Sequence, residues 1–245
     1  MNISMRNLLE AGVHFGHQTR FWHPKMAPYI YGARNRIHII NLEHTLPALR
    51  QAAQFAKDVA ATGGQILFVG TKRNLREVVR QEAERCEMPY VVQRWLGGTL
   101  TNFATVRRSI GRLLELERLL QEGAEGLTKK ERLTLDRERQ RLERSLGGFR
   151  LMETLPDALF VVDVGHEHIA VSEANRMRIP VVGVVDTNSS PEGIDHVIPG
   201  NDDARLAVEL YCQVMADAIL EGREASGRAV APDELLEEEM VREGG

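Results

Sequence analysis

The chain has 245 residues, 43% hydrophobic and 27% charged, enough to bury a core in one or two domains. It holds no apolar run of the about 18 residues that a membrane helix needs, and its opening MNISMRNLLEAGVHFGH lacks the apolar stretch and cleavage site of a secretory signal. The net charge of −4 hides a division: residues 1–150 carry 25 Lys/Arg against 15 Asp/Glu, and residues 151–245 carry 6 against 20.

That asymmetry predicts a basic face for a polyanion, followed by an acidic tail. Cys86 and Cys212 stand far apart within helix-like patterns and form no CxxC pair. Buried free thiols are the expectation.

The first 36 residues interleave cations with rings. Arg20, Trp22, His23 and Lys25 are followed by Tyr29, Tyr31, Arg34 and Arg36. Cations meet phosphates and flat rings stack on exposed bases, so the segment suits RNA; packing of Phe15, Trp22 and Tyr29 as core is the competing expectation. Short apolar runs follow at 37–40, 65–70, 90–92, 158–163, 180–186 and 196–198. Continuous rather than alternating runs suit strands buried on both faces. Apolar residues at spacings of three and four predict helices over 44–62, 73–86, 167–177 and 202–221. Strands alternating with helices give an α/β fold with a parallel sheet.

Residues 101–149 interrupt the alternation. Phe103, Val106, Ile110, Leu113, Leu116 and Leu120 mark one helical stripe; Leu135, Leu142, Leu146 and Phe149 mark another. Gly123 and Gly126 separate them, and Thr128 with Glu131 has capping-box spacing. An antiparallel helical hairpin of coiled-coil type is expected, protruding because its second helix is charged over most of its surface. The domain reading is an RNA-binding body at 1–102 and 150–222, the inserted hairpin at 103–149, and a loosely ordered acidic tail at 223–245.

Arg94-Trp95-Leu96-Gly97-Gly98 joins a strand to a helix. It reads as an anion site at a helix N-terminus or as a tight turn, and Arg107 and Arg108 lie one turn on. The candidate RNA-contacting residues are therefore Arg20, Trp22, His23, Lys25, Arg34, Arg36, Arg94, Trp95, Arg107 and Arg108.

No catalytic residue is assigned. Gly70-Thr71-Lys72 resembles a fragment of a phosphate loop but lacks the full spacing, and neither GxGxxG nor GxSxG occurs. His166 and His168 read as cap or surface groups. An α/β enzyme binding a phosphorylated small molecule, and an interaction scaffold using only the hairpin, are the alternatives. Asp186, Asp202 and Asp203 fall near strand ends, where open parallel sheets place their functional crevice. With His17 they form a candidate ligand set for one structural Mg²⁺ or Zn²⁺; helix capping is the competing role.

Long segments of the chain resemble the family of bacterial small-ribosomal-subunit protein two: GVHFGHQTRFWHPKMAPYIYGARNRIHIINLEHT, ILFVGTKR, RWLGGTLTN, LPDALFVVDVGHEHIAVSEANRMRIPVVGVVDTN and IDHVIPGNDDA. The resemblance runs from about residue 3 to 221. It implies a doubly wound, flavodoxin-like sheet with a protruding hairpin. It implies a structural role in translation, contact with small-subunit ribosomal RNA near the head–body junction, and support for docking of the large multi-domain RNA-capturing ribosomal protein. It brings no required cofactor, no membrane, no homo-oligomer and no enzymatic activity, and it places the protein in the cytoplasm, in the ribosome.

Overall fold

The computed structural model describes residues 3–121, 128–150 and 152–227. The Gly-containing loop expected between the hairpin helices and the tail from 228 onward lie outside them. Among the described residues, no helix is long and apolar enough to cross a membrane.

The apolar runs form a parallel five-stranded sheet. β4 (Ile66–Val69), β5 (Tyr90–Val91), β6 (Ala158–Val162), β7 (Val181–Val185) and β8 (His196–Pro199) lie in the order β5-β4-β6-β7-β8. Both faces are buried, which explains why the runs do not alternate. Phe68, Phe160, Val182 and Val184 face one core, shared with α2 (Leu42–Ala61), α3 (Arg76–Arg85) and α7 (Arg205–Ala225). Leu67, Val69, Leu159, Val161, Val181 and Val185 face the other, shared with α6 (His168–Met177).

The run at 37–40 belongs elsewhere. β1 (Phe15–Gln18), β2 (Ile30–Arg34) and β3 (Ile37–Ile40) make a separate antiparallel sheet in the order β1-β3-β2. A two-residue turn joins β2 to β3, with Asn35 at φ 52° and Arg36 at φ 63°. Two positive φ angles match the twist of a hairpin but strain a side-chain-bearing residue such as Arg36. A short helix, α1 (Met5–Glu10), precedes the sheet and is capped by Ser4.

α4 (Phe103–Gln121) and α5 (Lys129–Leu146) pack on one another, with Leu113 and Leu116 buried and Arg112 Nε 3.1 Å from Glu138 Oε1. The Thr128–Glu131 capping box is present. The helix roots belong to the body: Ile110, Leu146 and Phe149 are buried in the same core as Leu159 and Val161. α7 continues to Ala225, past the expected boundary at 222.

Candidate nucleic-acid interface and acid cluster

The basic N-terminal segment is held by backbone bonds, leaving its cations outside. Thr19 N–H donates to Arg36 O at 2.9 Å and His23 N–H to Thr187 O at 2.7 Å. Arg20, Trp22, Lys25, Arg34 and Arg36 are exposed, and His23 is half-buried with its ring accepting the Lys25 N–H. The Arg20 guanidinium stacks 4.4 Å over the Phe21 ring. Of the rings weighed as core, Phe15 is 48% and Trp22 42% exposed, and only Tyr29 is half-buried against the body; Tyr31 is 79% exposed. Lys25 pairs with Glu192. Arg94, on the segment leading to α4, and Arg107 and Arg108, in its first two turns, are exposed.

Trp95 departs from the expectation. It is 6% exposed, packs in the same core as Met26, and donates its indole N–H to Glu173 Oε1 at 3.1 Å. It is not presented to a base. The anion-binding turn is real, but its anion comes from α6. Glu173 accepts the N–H groups of Gly98, Leu100 and Thr101 at 2.8, 3.0 and 3.1 Å, and the Thr101 hydroxyl at 3.0 Å. Gly98 sits at φ +89°, a left-handed conformation that glycine takes without strain. Burial opposes ionisation of Glu173, but the bonds from Thr101, Trp95, Gly98 and Leu100 outweigh it and hold its carboxyl below the ordinary range. With this carboxylate in place, the Gly98, Leu100 and Thr101 donors are already occupied.

The strand ends converge as parallel-sheet geometry predicts. Lys72 follows β4, Asp163 follows β6, Asp186 follows β7, and Asp202 and Asp203 follow β8. The Lys72 ammonium lies against all but Asp186: it is 2.6 Å from Asp203 Oδ1 and 3.3 Å from Asp202 Oδ1, and it pairs with Asp163. His17 drapes over the same edge, with Nδ1 3.0 Å from Asp186 Oδ2 and Nε2 3.2 Å from Asp203 Oδ2. Its backbone N–H donates to Thr187 Oγ1 at 2.9 Å. Gly16 permits this approach, because a Cβ there would lie 2.7 Å from Thr187 Cγ2. The sequence thus named four members of the cluster, while Lys72 was read only as a phosphate-loop lysine and Asp163 was not singled out.

Helix capping does not account for these acids. Asn201 Oδ1, rather than Asp202 or Asp203, accepts the N–H groups of Asp203 and Ala204 at the start of α7. Asp202 is fully buried, and its Oδ2 has no hydrogen-bond partner among the described residues. Burial, then the charges of Asp163 and Asp186, push its carboxyl up to about 8 against the pull of Lys72. The hydrogen bond to Asp186 raises the His17 imidazole to about 9 against its partial burial. Ligand atoms of His17, Asp202 and Asp203 all lie within 4.8 Å of one another, so a shared divalent ion fits their spacing.

The phosphate-loop fragment Gly70-Thr71-Lys72 meets carboxylates here. Thr71 donates its N–H and hydroxyl to Glu167 Oε1 at 2.7 and 2.6 Å, and His166 Nε2 lies 3.1 Å from the Thr71 hydroxyl. The donors that would cradle a phosphate already bind carboxylates, and further acids surround them. His166 and His168 do not pair: the His168 ring turns back to Gly165 O. Cys86 and Cys212 are buried free thiols, pushed by burial up to about 12 and further still, respectively.

The sequence profile of the family described as ribosomal protein S2 matches residues 8–222. The chain belongs to the ribosomal protein S2 family. Three proteins named small ribosomal subunit protein uS2, from the Dugway 5J108-111, RSA 331 and RSA 493 strains of Coxiella burnetii, are each 59% identical over 243 residues. That covers 98% of this chain and 77% of each relative. The family match spans β1 to α7, so both the cationic segment and the acid cluster lie within it.

Proposed function

We propose that this chain binds small-subunit ribosomal RNA through the exposed cations of its basic half, as a structural constituent of the small ribosomal subunit. A structural rather than enzymatic role in translation comes with membership of the family. The observation that carries the RNA reading is the joint exposure of Arg20 in the turn after β1, Arg34 at the end of β2 and Arg36 in the β2–β3 turn, with Phe21, Trp22 and Tyr31 exposed in the same segment. Arg94, Arg107 and Arg108 extend the set; His23 and Lys25 flank it, while Trp95 supports the fold beneath. In this reading the protein works in the cytoplasm, in the ribosome, as a single copy near the head–body junction. It supports docking of the large multi-domain RNA-capturing ribosomal protein beside other small-subunit proteins. The fold reading is a doubly wound, flavodoxin-like body with an inserted helical hairpin at 103–149. The strand order with β4 between β5 and β6, and the helices against both sheet faces, support it. The second part of the proposal is a structural Mg²⁺ or Zn²⁺ held by His17, Asp202 and Asp203, with Asp186 orienting the imidazole. The unpartnered, buried Oδ2 of Asp202 supports it.

Binding to purified small-subunit ribosomal RNA, measured against salt concentration, tests the RNA reading. Each cation that neutralises a phosphate adds about one unit to the log–log slope. Replacing Arg20, Arg34, Arg36, Arg94, Arg107 and Arg108 by Gln is expected to flatten the slope by about four to six units while leaving the melting temperature within a few degrees. An unchanged slope in the folded variant would refute the assignment.

A further inference from the structure

One core side chain ends beneath the acid cluster without reaching a partner. Tyr211, in the second turn of α7, is fully buried in the core that also holds Val13, Val182, Val184 and Ile198. Its hydroxyl has no hydrogen-bond partner among the described residues. A phenylalanine would fill the same space without burying a polar group. A buried tyrosine hydroxyl ordinarily finds a partner, because an unpaired one forfeits the hydrogen bonds it had in water.

The fold carries this hydroxyl to the ends of β7 and β8. A Cβ on Gly200 would lie 2.1 Å from the Tyr211 oxygen and 3.3 Å from Val13 Cγ1, so only glycine leaves room for the phenol there. Gly200 N–H donates to Val185 O at 3.1 Å, which ties that turn to the end of β7. Asp186 follows β7, and Asp202 stands just beyond Gly200 and Asn201. Burial first, then the charges of Asp186 and Asp202, hold the phenol protonated, well above its usual range. The hydroxyl is therefore a donor set below two acids.

Only one of those acids lacks a partner. Asp186 Oδ1 accepts the Thr187 hydroxyl at 3.1 Å, and its Oδ2 lies 3.0 Å from His17 Nδ1. Asp202 Oδ1 faces the Lys72 ammonium at 3.3 Å, while its Oδ2 has no hydrogen-bond partner among the described residues. A buried donor and a buried acceptor thus stand at the same end of the sheet, too far apart to bond directly. One water, which takes roughly two to four polar partners, satisfies both.

We propose that a single buried water joins the Tyr211 hydroxyl to Asp202 Oδ2, and that Tyr211 is thereby a positioning residue of the acid cluster. Lys72 on one oxygen and the water on the other fix the plane of the Asp202 carboxyl group. The bearing on an ion rests on the Mg²⁺ or Zn²⁺ reading above; the water does not. Groups that orient a metal ligand in this way govern about 10–100-fold in affinity.

The test compares the full chain with Tyr211→Phe. A high-resolution crystal structure of the parent is expected to show one ordered water within about 3.2 Å of both oxygens. In urea at pH 7 without added ion, Tyr211→Phe is expected to raise the unfolding constant about five- to thirtyfold, because the water and Asp202 lose their donor. With Mg²⁺ or Zn²⁺ titrated at pH 8.5, the apparent dissociation constant read from melting is expected to rise about tenfold or more in the variant. A merely structural role would lower the melting temperature equally with and without the ion. No water between the two oxygens, or a variant as stable as the parent, would overturn the proposal. A water in place with an unchanged ion constant would overturn the positioning role. A parent that binds neither ion would overturn the ion reading, and the crystal structure and urea curves would still decide the bridge.

Discussion

Replacing Glu173 by Ala is expected to lower the stability of the protein by about 3–5 kcal/mol at pH 7. The carboxylate is the shared acceptor for Gly98, Leu100, Thr101 and the Trp95 indole. Removing it leaves three backbone N–H groups, an indole and a hydroxyl without an acceptor in a mostly buried turn, and each orphaned donor costs about 1–3 kcal/mol. Partial entry of water reduces the total below the sum. Glu173→Gln keeps the volume but turns an NH₂ toward some of those donors, so about half the loss is expected. The depressed carboxyl pKa sets the pH of the test. The stabilisation is present above the unfolded value near 4.5 and is lost as pH falls through the lower folded value. Urea unfolding at pH 7 measures the change; a shift under about 1 kcal/mol at constant m would mean the turn holds itself without the carboxylate.

In the absence of added divalent ion, the protein is expected to lose about 1–3 kcal/mol of stability as pH rises from 6.5 to 9, solvent screening of the partly exposed imidazole included. Two groups act in the same direction. His17 is raised from 6.5 to about 9, so its stabilisation is complete below 6.5 and is lost as pH rises through 9. Asp202 is raised from 3.8 to about 8, so the folded protein keeps a proton that the unfolded chain has released, and stability falls until pH passes 8. Asp202→Asn is expected to flatten the curve below pH 8, and His17→Gln to flatten what remains. A bound ion needs a neutral imidazole and an ionised carboxylate, so it displaces both protons. The melting-temperature increase from Mg²⁺ or Zn²⁺ is therefore expected to be larger at pH 8.5 than at 6.5. A flat pH profile would contradict the charge assignment, and no ion-dependent shift at either pH would contradict the ion.

The parallel sheet was legible because its strands are buried on both faces. Runs such as Val181–Val185 and Ala158–Val162 then carry the signal without a partner. β1 and β2 were not legible. Phe15–Gln18 and Ile30–Arg34 contain glycine, show no clean alternation, and are set by irregular pairing with β3. α1 was missed because its six residues are too few for a period to appear. His17, Asp186, Asp202 and Asp203 could be brought together on paper because strand order carries strand ends to one edge. Lys72 was visible but misread, since a lysine after a strand has the same local sequence whether it faces phosphate or carboxylates. Glu173 had a faint signal, an acid on the buried face of α6 between Ala170 and Ala174. Its partners lie more than seventy residues away and could not be named. Trp95 shows the same gap: beside Arg94 it read as a stacking ring, and only the fold turns it inward.

Sedimentation of cell extract through sucrose gradients, following this chain at moderate and at high salt, tests the central claim most directly. The account predicts that the protein travels with the small ribosomal subunit at moderate salt and that neutralising the N-terminal cations lowers its occupancy there. Recovery at the top of the moderate-salt gradient, or with a complex other than the small subunit, would contradict it.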